Sequence, residues 1–134
     1  MQSLFELKTE LPWDRDTWDR MNLRATELLH DAKKQKYTQA IVLLTSEGSE
    51  YGAVIHDALE KDNLEEKALF DRLHHQNDTE IRYALCMWED GGIDLPSISL
   101  RKMLCELNPQ NTETKIFVMT KNGISVIPLR VTLG

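Results

Sequence analysis

The run Gln39-Ala40-Ile41-Val42-Leu43-Leu44-Thr45 constrains this chain more than any other feature. Its apolar residues are continuous rather than alternating, which suits a β-strand buried on both faces. Such a strand needs neighbours in a sheet and cover on two sides. With 134 residues the chain can bury one moderate core, and no stretch rich in Pro, Gly or Ser divides it. Residues 1–134 therefore read as a single domain.

The flanking segments supply the cover. Trp18, Met21, Ala25, Leu28, Leu29 and Ala32 recur at helical spacing, predicting an amphipathic helix from about Asp16 to Lys36. Asp14 or Asp16 can cap it, and Pro12 limits it upstream. After Ser46-Glu47-Gly48-Ser49, a turn, residues 50–55 fit a returning strand, while 50–61 equally fit a helix period. A second helix is predicted from Leu64 to His75, with Asn63 as cap, Glu66 reaching back to it, and Leu64, Ala68, Leu69 and Leu73 as the apolar face. Residues 80–88 predict a strand and residues 96–107 a third helix, stopped by Asn108-Pro109. Two late strands, 115–120 and 124–131, flank Asn122-Gly123, which suits a type I′ turn; Pro128 belongs at an edge or a bulge. The order α-β-β-α-β-α-β-β predicts an α/β protein, a three-layer α-β-α sandwich on a mixed sheet of about five strands.

Three stretches at the joints carry more than secondary structure. Tyr37 leads into the apolar run, which closes on Glu47-Gly48. Leu64-Glu65-Glu66-Lys67-Ala68-Leu69-Phe70 opens the second helix, and Pro96-Ser97-Ile98-Ser99-Leu100-Arg101 opens the third. In this order and at these spacings the chain resembles the cytidine deaminase family from Trp18 to Leu133. The resemblance implies that fold, and assembly as a homo-oligomer. It also implies a zinc site at the two helix starts, where His or Cys residues bind the metal and a Glu moves protons.

The matching positions do not carry those ligands. They hold Asn63, Ser97 and Leu100. Leucine has no lone pair, and neutral serine is a poor zinc ligand beside thiolate or imidazole. Cys86, Cys105, His74 and His75 are expected away from the helix starts, Cys86 and Cys105 as reduced, buried thiols, which leaves His56 alone nearby. Glu65 matches the family's proton-moving Glu, and Val54 and His56 stand where the family holds a sugar. What remains is a vestigial pocket of Tyr37, His56, Asn63, Glu65 and Ser97, fit for a small polar or anionic ligand because helix N-termini present free N–H groups. The competing reading is that Asn63 and Ser97 only cap their helices. Trp13, Tyr51 and Trp88 read as core, with a pocket or interface as the alternative.

The expected function is thus a catalytically degenerate, deaminase-like protein acting by binding or assembly, without metal or other cofactor. The alternative is an enzyme using His56 and Glu65 for metal-free acid/base chemistry on a small polar molecule. A formal net charge of −6 argues against nucleic acid, although Lys33, Lys34 and Lys36 form a local basic cluster. No run reaches the roughly 20 apolar residues needed to span a bilayer. Met1–Glu6 lacks a signal-peptide pattern, so a cytoplasmic location is expected.

Overall fold

Strand β1 (Gln39–Thr45) lies inside the sheet, and all of its residues are buried. The structure, a computed structural model, describes residues 12–32, 37–59 and 63–133, so the lysine cluster at 33–36 lies outside the described residues. On one side of β1 stands β2 (Glu50–Ile55), antiparallel, with Gln39 opposite Ile55 and Leu44 opposite Glu50. That ladder settles the open choice at residues 50–55 in favour of a strand. On the other side stands β3 (Ile81–Trp88), also antiparallel. Beyond it come β5 (Lys115–Thr120), parallel to β3, and β6 (Gly123–Pro128), antiparallel to β5. A two-residue strand, β4 (Ile93–Asp94), pairs with the end of β3 and brings the sheet to six strands rather than about five.

Three helices cover the two faces. Along β1 the pleat sends alternate side chains to opposite sides. Ala40, Val42 and Leu44 meet Met21, Ala25 and Leu29 of α1 (Arg15–Asp31). Ile41 and Leu43 meet Leu69 and Leu73 of α2 (Leu64–His75) and Leu100 and Leu104 of α3 (Ile98–Leu107). The three-layer sandwich is the one the strand pattern predicts.

Several boundaries differ from the sequence expectation. Helix α1 stops at Asp31, because Ala32 is already extended (φ −89°, ψ 155°). Asp14 is its cap. The last strand ends at Pro128, on the sheet edge, and residues 129–133 form a 3-10 turn. The preceding hairpin is not a type I′ turn with Asn122-Gly123 at its centre. Lys121 and Asn122 form the loop, and the positive φ (107°) falls on Gly123, which pairs with Thr120. A glycine just after a two-residue turn relieves strand twist as a bulge does.

Asn111 holds α3 and β3 in place. It is wholly buried, yet its amide is fully used. Oδ1 accepts the Ile81 N–H at 2.8 Å, while Nδ2 donates to the carbonyls of Leu104 (2.8 Å) and Thr79 (2.9 Å). Asn111→Ala strands these backbone groups in the interior. It should destabilise the protein by about 3 kcal/mol or more, read from chemical denaturation midpoints.

Candidate functional site

Helices α2 and α3 both begin at one end of the sheet, and their first turns are joined. Asn63 caps α2: its Oδ1 accepts the N–H groups of Glu65 (2.9 Å) and Glu66 (3.2 Å). Its Nδ2 donates to the carbonyl of His56 at 3.0 Å, and to that of Asp57 at 3.4 Å. Asp57 needs such support, because its φ is +50°, a left-handed conformation that non-glycine residues adopt at a cost. Ser97 caps α3, its Oγ accepting the Leu100 N–H at 3.0 Å. The same hydroxyl donates to Glu66 Oε2 at 2.9 Å, which ties one helix start to the other. Arg101 braces the α3 side by donating to the carbonyls of Pro96 (2.9 Å) and Thr132 (2.7 Å).

Glu66 is the residue that sequence reasoning missed. It was expected to reach back to its own helix cap, as in a capping box. Instead its carboxylate crosses to Ser97, and only 2% of the residue is exposed. The signal was in the spacing: Glu66, Leu69, Phe70 and Leu73 share one helical face, and all four are buried. Leu64 and Ala68, expected on that face, are exposed. Burial pushes the Glu66 carboxyl above the usual carboxylate range, while the Ser97 hydrogen bond pulls it down.

Outside this buried bridge lies a second, half-exposed pair. Glu65 Oε1 accepts the backbone N–H of His56 at 2.7 Å, and Oε2 lies 2.9 Å from His56 Nδ1. The carboxylate therefore fixes the ring and faces its Nε2 outward, a nitrogen with no hydrogen bond among the described residues. Tyr37 borders the site through its backbone. Its carbonyl accepts the Ala58 N–H at 2.9 Å, in the turn that carries His56. Tyr37, Leu59, Leu64 and Ile98 are exposed apolar side chains around this end. Of the expected residues, His56, Asn63 and Glu65 are mutually bonded, Ser97 joins them through Glu66, and Tyr37 stands at the margin.

Other expected features lie elsewhere. Cys86 is fully buried within β3, and burial, with the charges of Glu66 and Asp94, pushes its thiol far up, so it stays protonated. Cys105 is a free thiol only partly buried, short of the full burial expected. His74 and His75 end α2. A groove of about 530 Å³ lined by Tyr51, Asp71, Arg72, His75 and Gln76 lies along the far half of α2. Trp13 packs edge-on against Phe117 in the core, 5.8 Å between ring centroids, and Trp88 packs, partly buried, against the core cluster on the α2 and α3 side of the sheet.

No family model and no curated protein matches the chain in sequence. Solved structures do match in shape. Cytidine deaminase from Mycobacterium tuberculosis superposes with a TM-score of 0.65 at 17% identity, covering 90% of this chain and 95% of that one. The enzyme from Mycobacterium leprae gives 0.62 at 17%, covering 87% and 96%. That from Bacillus anthracis gives 0.66 at 14%, covering 85% and 84%. The chain has the cytidine deaminase fold. That fold implies a zinc ion at the helix starts, and the residues present do not fit one. The Asn63 amide is spent on both sides, the Ser97 oxygen is committed to Glu66 and Leu100, and Leu100 has no donor atom. Among the described residues, no three His, Cys, Asp or Glu side chains come together to hold a metal. No described helix is long and apolar enough to cross a membrane.

Two outcomes follow from the bridge. A carboxyl raised above its unfolded value stabilises the fold below the unfolded pKa and loses that contribution as pH rises through the folded one. Lowering the pH from neutral toward the ordinary carboxylate range should therefore relieve a penalty at Glu66. Glu66→Gln, which still accepts from Ser97, should raise the melting midpoint at pH 8 and flatten this part of the pH profile. Ser97→Ala removes a cap and the bridge donor together, and should cost at least about 2 kcal/mol in denaturant titration.

Proposed function

We propose that this protein recognises a small polar or anionic molecule at the paired helix starts, on a deaminase scaffold that no longer performs zinc chemistry. One observation carries the reading: the side chains at the ligand positions are consumed by the caps and by the Glu66–Ser97 bridge. The scaffold's convergence of helix ends then remains as a polar seat, with His56 Nε2 at its centre and an apolar rim of Tyr37, Leu59, Leu64 and Ile98 around it. The exposed rim also supports assembly of copies as a homo-oligomer, for which light scattering showing a strict monomer at high concentration would be the contrary result.

Purified protein should hold far less than one zinc per chain and leave cytidine unchanged. Stoichiometric zinc by elemental analysis overturns the reading. A thermal-shift series over nucleosides, nucleotides and simple anions should find a stabilising ligand, since about 100 times its Kd adds about 2.7 kcal/mol. The shift should disappear in His56→Ala, whose ring is half-exposed and outside the buried bridge.

The His56–Glu65 pair favours a second reading, metal-free acid/base chemistry at His56 with Glu65 orienting the ring. It requires a turnover whose pH–rate profile changes in Glu65→Gln; an unchanged profile rules it out.

A further inference from the structure

The groove beside α2 lies at the end of that helix away from the Asn63 cap. Asp71 and His75 are four positions apart, as are Arg72 and the C-cap Gln76, so the four side chains share one face of the helix. That face and Tyr51 of β2 line about 530 Å³, the size of a small-molecule site. β2 is an edge strand of the sheet, which leaves the groove open to solvent along that side.

Arg72 is held in place there. Its Nη2 donates to the Gly52 carbonyl at 2.9 Å, from helix to strand, while its Nε and Nη1 have no hydrogen-bond partner among the described residues. Asp71 is its neighbour, and among the described residues neither side chain enters an ion pair. Charges of both signs also reach the Tyr51 phenol. Burial and the Asp78 carboxylate push it above its ordinary value, and Arg72 pulls it down. A simple anion would find Arg72 but would face Asp71, Asp78 and the negative end of α2. A simple cation would find the carboxylates but would face Arg72. The lining suits a molecule that carries both charges close together, with an apolar body to set against the Tyr51 ring.

We propose that this groove binds a free α-amino acid with an apolar or aromatic side chain, its carboxylate on Arg72, its ammonium on Asp71 and its side chain against Tyr51. The site is independent of the proposed recognition site at the paired helix starts. Thermal unfolding of the full chain in phenylalanine, leucine, glycine, N-acetylphenylalanine and phenylalaninamide tests it. Each is titrated to about 10 mM, ten times a Kd of about 1 mM. Phenylalanine or leucine should raise the midpoint by roughly 3–5 °C, and glycine by less. The N-acetyl compound lacks the ammonium and the amide lacks the carboxylate, so neither should match the free amino acid. The rise should vanish in Asp71→Asn and in Arg72→Gln, both at exposed positions, and persist in His56→Ala. No rise with any free amino acid, or a rise matched by either blocked compound, overturns the proposal. So does a rise undiminished in both loss variants, or one lost in His56→Ala, which moves the binding to the helix starts.

Discussion

A carboxylate buried between two helix starts organises one end of this molecule. Glu66 leaves its own helix to accept the Ser97 hydroxyl, and Ser97 in turn accepts the Leu100 N–H. The N-terminal turns of both helices, each capped by its own side chain and carrying a partial positive charge, start on either side of that bond. The Ser97 hydrogen bond favours the ionised form while burial opposes it, and burial prevails. Such a bridge is a weak source of net stability, because desolvation offsets most of the attraction. Its value is geometric: it fixes how α2 and α3 begin relative to each other. The turn at His56, the Asn63 cap and the Glu65 carboxylate are all hung from that arrangement.

Two layers of chemistry therefore share one place in the fold. The inner layer is closed, with each polar atom of Asn63 and the Ser97 oxygen committed to neighbours. The outer layer is open, since Glu65 turns the His56 ring outward. A scaffold used by cytidine deaminases can keep its shape with such different side chains because the shape rests on the two-sided burial of β1 and β3, far more than on the helix starts.

Much of the fold was legible because its signals are periodic. The apolar run at 39–45, the Asn63 cap and the stop at Asn108-Pro109 each mark an element that forms where expected. What escaped was decided by contacts distant in sequence. β4 is two residues long and exists only by pairing with the end of β3. The helix-or-strand choice at 50–55 was set by β1, which offers a partner edge that no local propensity records. In the site, Asn63 and Ser97 were readable as caps, since capping is a local hydrogen bond. Glu66 was misread because a local rule, the capping box, competes with a partner 31 positions away. Its place on the Leu69–Leu73 face was the better guide.

The position of Cys86 in β3 has a consequence for how opening of this chain can be watched. Its sulfur is sealed in the apolar layer beneath Glu66 and kept as the unreactive thiol, whereas Cys105 is only partly covered. An alkylating reagent in solution meets Cys105 in the folded molecule but reaches Cys86 only when the central sheet separates from α2 and α3. The chain thus carries its own clock of core exposure, one sulfur marking the surface and the other marking the moment the interior is breached.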